Sequence, residues 1–251
     1  MTMFGNAIGL SPGNLGMKLF KPSAAAPLLW WYPEGPAGWP AVVGAYRAIA
    51  TVGSPWPLAP ANYAESLTNW ANPGTYTLTE IGGGSVNWAA NVGWSGFFAL
   101  NRCLDTNINP TPINQTWSVL VEYAGATNAG QYLFGLADSI VESGLFGVRD
   151  NAAVAQSQHG AFGAIGGNAP AINAAGNYGF AARQPYRNAV AEAALVNILP
   201  GTSDITIYIG ARNTNGVAGS HFAGSIKALV IYSGTLTVAQ VTAVDAAMAA
   251  L

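Results

Sequence analysis

Alternation of apolar and polar positions is clearest in the segment Thr116–Tyr123. Every second residue there is large and apolar: Trp117, Val119, Val121 and Tyr123. This period of two is typical of a strand with one face in a core. Ile205–Ile209 alternates in the same way, and Ile226–Tyr232 is another strongly β-prone run near the C-terminus.

Shorter strand candidates recur along the rest of the chain, with Gly, Pro or Asn between them. They are Val42–Ile49, Tyr76–Thr79, Val86–Trp88, Phe97–Leu100, Tyr132–Leu136, Leu145–Val148, Gly179–Arg183 and Tyr186–Val190. A spacing of about 8–12 residues with turn residues between strands is the pattern of a β-sandwich. The chain is therefore predicted to be all-β.

The C-terminal segment Val238–Leu251 changes to a helical period. Its apolar positions are Val241, Val244, Ala247 or Met248, and Leu251. Thr237 precedes this run and is predicted to cap the helix. We expect a short amphipathic helix that covers one sheet edge, because open edges need protection.

Residues 204–242 carry a resemblance to a known family. The matching motifs are Ile209-Gly210, then Phe222-Ala223-Gly224-Ser225-Ile226, then Ile231-Tyr232, then Leu236-Thr237-Val238-Ala239-Gln240-Val241. Their order resembles the closing segment of the laminin-G-like, concanavalin A-like jelly roll. The segment Tyr186-Arg187-Asn188-Ala189 is similar to that family's Y-x-N/D-G turn, with Ala189 where glycine is common. The resemblance implies a jelly-roll sandwich and leaves function open, since this fold serves lectins, hydrolases and scaffolds.

Residues 1–41 differ from the rest and are predicted to be a Pro- and aromatic-rich N-terminal arm, followed by the sandwich at 42–251. Six prolines within the arm exclude a long helix or a central strand. The aromatics either dock on another surface or pack back on the sandwich. The predicted anchoring residues are Phe4, Leu19, Phe20, Trp30, Trp31 and Trp39.

The amino-acid composition departs from that of an average globular protein. Hydrophobic residues make up 51% of the chain and charged residues only 8%, against a usual charged share of about 25%. Either the surface is polar without charge, or an assembly covers much of it. A net charge of −2 predicts no nucleic-acid partner, and the single cysteine, Cys103, excludes an internal disulfide.

No targeting segment is expected from the sequence. The N-terminus has no basic and apolar signal pattern. The apolar run Ala24–Tyr32 is far shorter than the roughly 20 residues that span a bilayer. We therefore expect synthesis in a cytoplasm and no membrane insertion.

The sandwich also resembles laminin-G-like domains found in virion proteins of tailed bacteriophages. That resemblance implies a non-catalytic virion structural protein, such as a capsid decoration or a head- or tail-fibre component, assembled in the host cytoplasm. Its partners would be other capsid or tail proteins, with residues 1–41 as the anchor. By analogy with virion spikes, it would be a homo-oligomer such as a trimer.

The alternative function is a carbohydrate-binding adhesin that recognises host-surface glycans. Glycan binding needs exposed aromatic faces beside amide, carboxylate or guanidinium groups. The sequence offers Trp94 near Asn91, and Tyr178 near Arg183. Ordinary core and rim positions explain these residues equally well.

A third hypothesis, a divergent polysaccharide hydrolase or lyase, lacks its acid pair. None of the eleven acidic residues stand two positions apart, and the closest two, Asp138 and Glu142, are four apart. Glu122 lies in a strong strand but alternates away from Trp117, so it is predicted to face solvent. The chain is therefore expected not to be an enzyme.

No cofactor or metal site is expected from the sequence. The two histidines, with one cysteine, make no zinc motif. Loop oxygens of Asp138, Asp150 and Asn151 leave Ca²⁺ binding as an alternative.

Overall fold

The structure is a computed structural model that describes residues 38–49, 60–111, 116–125, 130–138, 144–151, 154–160, 165–170, 175–192, 194 and 203–251. In these ranges, the strands are β1 (Val42–Arg47), β2 (Thr79–Ile81), β3 (Asn87–Ala89), β4 (Gly93–Ser95), β5 (Cys103–Asp105), β6 (Ser118–Ala124), β7 (Tyr132–Asp138), β8 (Gly144–Asn151), β9 (Val154–Gly160), β10 (Ile165–Pro170), β11 (Ala175–Ala181), β12 (Gln184–Arg187), β13 (Val190–Ala191), β14 (Tyr208–Ile209), β15 (Arg212–Thr214), β16 (Val217–Gly219) and β17 (Ser225–Tyr232). The helices are α1 (Tyr63–Ser66), α2 (Phe97–Leu100) and α3 (Val238–Ala249).

Two sheets face each other across a shared core. Among the described residues, the first sheet has the order β13-β12-β11-β6-β17-β4-β3, with β1 also paired to β17. The second has the order β10-β9-β8-β7-β14-β5-β2, with the β15–β16 hairpin joined to β7. This confirms the predicted fold class, an all-β jelly-roll sandwich with a short C-terminal helix.

The sequence patterns that predicted the core strands are confirmed. The alternate residues of the first sheet's β6, from Trp117 to Tyr123, lie in the cluster between the sheets. Ile207 and Ile209 reach the same cluster from the second sheet's side and are fully buried. Long buried strands of this kind hold the two layers together through the hydrophobic effect.

The C-terminal helix α3 begins at a capping box. The Thr237 side chain accepts from the Gln240 backbone N–H, and the Gln240 side chain accepts from the Thr237 N–H. Its apolar side packs on the outer face of the first sheet, against Leu120 and Val230. The helix is confirmed, but it covers a sheet face rather than the edge we predicted, because that face carries its own apolar side chains. None of the helices in the described ranges is long and apolar enough to cross a membrane.

Three local predictions are wrong. Phe97–Leu100 is the helix α2 rather than a strand, bounded by the left-handed residues Gly96 and Asn101. Tyr76 lies in a loop, and the strand starts at Thr79. Glu122 is not solvent-facing: it lies on the strand face that α3 covers and is only 6% exposed.

The turn between β12 and β13 has alanine at the position where the family pattern has glycine. Arg187 pairs with Val190, so the loop contains only Asn188 and Ala189. Both central residues have positive φ, +47° and +59°. Positive φ at both positions defines the mirror-image turn that matches strand twist and normally requires Asn-Gly. Ala189 therefore holds a conformation that a β-carbon disfavours.

Candidate functional site

The two aromatic rings predicted to contact glycan are buried, so the prediction of exposed faces is wrong for both. Trp94 and Tyr178 are each 0% exposed. The Trp94 indole donates to Ser66 Oγ at 2.9 Å, and the Tyr178 hydroxyl donates to Glu192 at 2.7 Å. Their large apolar rings pack between the two sheets. The spacing of residues in the sequence was not sufficient to predict that burial.

Their predicted polar neighbours do lie on the surface. Asn91 and Arg183 are both exposed. Each of them stands beside a strand whose aromatic side chain points into the core. The predicted pairs therefore do not form ring-and-amide surfaces.

One of the predicted anchoring residues is described. Trp39 packs on its own sandwich, with its ring centroid 6.2 Å from that of Tyr232. Beside it, Ala41 accepts a hydrogen bond from the Ser233 N–H at 3.1 Å. For Trp39, self-packing is the alternative that the structure shows.

The other anchors, Phe4, Leu19, Phe20, Trp30 and Trp31, lie outside the described residues. Assembly through residues 1–41 therefore stays a prediction. The same holds for calcium: the side chains of Asp138, Asp150 and Asn151 are outside the described part. Within that part, no group of three or more His, Cys, Asp or Glu could hold a metal ion.

Among the described residues, the aromatic residues with large exposed areas are Tyr76 and Phe98, at 42% and 58%. Phe98 projects from α2, whose Leu100 is also exposed at 36%. Tyr76 lies instead in a polar loop that begins at Asn72. The two exposed rings therefore differ in surroundings, and the polar surroundings of Tyr76 suit recognition of a polar ligand.

The backbone of Tyr76 is held in an unusual conformation. Its φ is +55°, which is rare for an aromatic residue. The buried Tyr46 hydroxyl donates to Tyr76 O at 2.8 Å and also lies 3.2 Å from Thr106 O. One hydroxyl thus ties the loop of Tyr76 to the loop that follows β5. Residues kept in sparsely populated regions often mark functional surfaces.

Asn107 completes the junction between these loops. It too has a positive φ, +57°, and its Nδ2 donates to Thr77 O at 2.6 Å and lies 3.4 Å from Thr79 Oγ1. Its backbone N–H donates to Asp105 Oδ1 at 2.8 Å. These contacts fix the exposed Asn107 side chain against the backbone of the residue that follows Tyr76 and leave its Oδ1 as a surface acceptor.

Asp105 is the last residue of β5 and accepts the Asn107 N–H at this junction. It pairs across the sheet with Thr79 on β2 and Tyr208 on β14, so the three side chains share the outer face of the second sheet. Burial raises the pKa of the Asp105 carboxyl, while hydrogen bonds from Thr206 and the Asn107 N–H oppose that shift. The neighbouring Cys103 is fully buried, and burial raises the pKa of its thiol to about 12, which keeps the thiol protonated.

The carboxylates near this junction do not form a hydrolytic pair. Glu80 follows Thr79 on β2 and therefore points to the opposite face of the sheet from Asp105. It accepts instead from the Tyr63 hydroxyl at 2.6 Å. Two acids must flank the same bond to cleave a glycoside. The geometry offers a surface for binding: a flat ring, an amide, a hydroxyl and a half-buried carboxylate.

Comparison with known proteins does not assign the chain to a family. No family model matches the chain. No curated protein matches it either.

Solved structures with a similar arrangement of strands include three carbohydrate-related proteins. Domain 4 of AbnA, a GH43 extracellular arabinanase from Geobacillus stearothermophilus solved with arabinotriose, is 17% identical, with a TM-score of 0.46 over 67% of this chain and 88% of that one. The CBM40 of Ruminococcus gnavus IT-sialidase, bound to α2,3-sialyllactose, is 16% identical, with a TM-score of 0.40 over 52% and 82%. A mutant Trypanosoma rangeli sialidase is 14% identical, with a TM-score of 0.49 over 82% of this chain but only 33% of that one. These similarities concern the arrangement of strands alone.

Proposed function

We propose that this chain is a non-catalytic glycan-binding β-sandwich and that a sugar stacks on Tyr76 beside Asn107. The observation that carries this proposal is the exposed Tyr76, whose left-handed backbone is bonded to a buried hydroxyl within a polar loop. Fixing the backbone of a binding residue in advance lowers the entropic cost of binding.

The chemistry of the junction suits a sugar. The C–H face of a pyranose packs on an aromatic face, while its hydroxyls need donors and acceptors in fixed positions. Asn107 supplies an acceptor through Oδ1, and the exposed Thr79 supplies a hydroxyl that can donate or accept. Phe98, next to Leu100, offers only an apolar surface.

The test is a glycan array of bacterial and host-surface polysaccharides, followed by calorimetry on the best ligand with the full chain. Tyr76→Ala should weaken binding at least tenfold, which corresponds to about 1.4 kcal/mol. Phe98→Ala is the matched control, since it removes the other exposed ring and should leave the affinity unchanged. No new reducing ends should appear when the protein is incubated with its ligand.

Three results would contradict the proposal. The wild-type chain could bind nothing on the array, or Tyr76→Ala could bind as tightly as the wild type. Release of reducing ends would show that the protein is an enzyme and would overturn the non-catalytic part.

A further inference from the structure

A polar cluster lies beneath α3, on the outer face of the first sheet and away from the Tyr76 junction. Three adjacent strands contribute Glu122 from β6, Asn177 from β11 and Lys227 from β17. The helix contributes Asp245, whose backbone O accepts from Asn177 Nδ2 at 3.2 Å. Glu122 and Asn177 are only 6% and 2% exposed.

Three oxygens of this cluster have no hydrogen-bond partner among the residues that the structure describes. They are Oε2 of Glu122, Oδ1 of Asn177 and Oδ1 of Asp245, and all three are buried. Each accepts hydrogen bonds and none donates when both carboxyls are ionised. A buried acceptor without a donor costs about 1–3 kcal/mol, so three such acceptors in one cluster favour a bound proton.

Lys227 does not supply that hydrogen to the unpaired oxygens. Its Nζ lies 3.5 Å from Oε1 of Glu122, the other oxygen of the carboxyl. One ammonium also balances only one of the two carboxylates. With both acids ionised, the cluster would hold one uncompensated negative charge in a largely buried place.

We propose that Glu122 and Asp245 together hold one proton, which pins α3 to the first sheet and is released as the pH rises. A proton on either carboxyl turns one acceptor into a donor. Asn177 links the two acids, because it stands directly across the strand pair from Glu122 and its Nδ2 donates to Asp245 O. The same proton brings the charge of the cluster to zero.

The pKa values of both acids agree with this arrangement. Burial raises the pKa of Glu122 and the Asp245 charge raises it further, while Lys227 lowers it. Burial also raises the pKa of Asp245, against hydrogen bonds from the Asn177 side chain and the Ala189 N–H. Among the described residues, the charged groups of the cluster are thus Glu122, Lys227 and Asp245.

The sign of the pH effect follows from these directions. A carboxyl whose pKa is raised by folding binds more protons in the folded state. The stabilisation is complete below the ordinary glutamate pKa of 4.5 and declines as the pH rises through the raised folded value. Release of the proton should therefore loosen α3 at higher pH, while the core between the sheets stays closed.

Hydrogen exchange of the full chain tests the proposal, with rates corrected for the intrinsic effect of pH. The opening constant of the α3 amides should rise by up to about tenfold for each pH unit within the window. The amides of β7, which lie in the other sheet, should show no such dependence. Glu122→Gln should abolish the pH dependence, because its amide N–H₂ can donate to an unpaired oxygen at every pH.

Asp245→Asn provides a second variant with the same expectation, should Glu122→Gln fail to fold. The matched control is Asp204→Asn, the same change at an exposed acid, and it should keep the wild-type dependence. A pH dependence that persists in both cluster variants would overturn the proposal. Loss of the pH dependence in the wild-type chain on addition of Ca²⁺ would also overturn the proposal, because a cation would then occupy the cluster. Neither result bears on glycan binding at Tyr76.

Discussion

The Tyr46 hydroxyl should stabilise the protein because it joins two loops, and Tyr46→Phe removes only that oxygen. The ring is 0% exposed, so its packing is kept. The hydroxyl donates to Tyr76 O at 2.8 Å and lies 3.2 Å from Thr106 O. Its single hydrogen is therefore shared by two carbonyls, and the substitution removes one three-centre bond rather than two full ones.

The expected loss combines two unequal parts. The Tyr76 carbonyl belongs to an exposed residue and can regain water, so its part is small. Thr106 is fully buried, and its carbonyl loses a donor that water does not replace. A net hydrogen bond contributes about 1 kcal/mol, and a buried unsatisfied acceptor costs about 1–3 kcal/mol. We expect a destabilisation of about 1–2 kcal/mol.

Tyr232→Phe is the matched control for this measurement. Tyr232 is also fully buried, but its hydroxyl has no hydrogen-bond partner among the described residues. Removing an unpaired buried hydroxyl should leave stability unchanged or raise it.

Urea unfolding of the wild-type chain and both variants gives the comparison directly, through midpoints at unchanged m-values. Equal losses in the two variants would refute the reasoning, because packing rather than the hydrogen bond would then explain both. Glycan binding should also weaken in Tyr46→Phe, since Tyr76 loses its support.

Two further stability predictions concern backbone conformation. Ala189→Gly should stabilise the chain by about 1 kcal/mol, because glycine relieves the left-handed strain at φ +59°; an unchanged thermal midpoint would contradict the turn assignment. Thr237→Ala should cost about 1 kcal/mol, since it removes the side chain that accepts the Gln240 N–H at the start of α3. Thr237→Ser is the control that keeps the cap, and the two variants should differ in thermal unfolding.

The sequence was sufficient to predict the layers of the fold because burial imposes a period. The alternate residues from Trp117 to Tyr123 face the core between the sheets, and α3 packs its apolar side on the first sheet, so large apolar residues recur regularly in both. The segment Phe97–Leu100 is too short for a period to show, and the left-handed Gly96 and Asn101 turn it into a helical turn. Short elements follow their boundary conformations more than their composition.

The burial of individual residues could not be predicted from the sequence. Glu122 alternates correctly to the outer face of β6, but that face is covered by a helix more than a hundred residues later in the chain. Trp94 and Tyr178 were predicted to lie at the surface because Asn and Arg stand near them in sequence. Asn91 and Arg183 lie in the turns at the ends of those strands, whereas the strands direct alternate side chains to opposite faces, so proximity along the chain does not tell which face a ring takes.

The position of Tyr76 shows why the candidate site escaped sequence analysis. Tyr76–Thr79 has the composition of a strand, and only the left-handed φ of Tyr76 takes its ring out of the sheet. Residues far away in the sequence hold this loop: Tyr46 lies thirty residues earlier and Thr106 thirty residues later. A strained aromatic residue that two distant segments hold at the surface gains little for the core, since 42% of the residue is exposed. The strain is therefore better explained by what the ring contacts outside the chain than by folding, and this is why a ligand is sought at Tyr76 first.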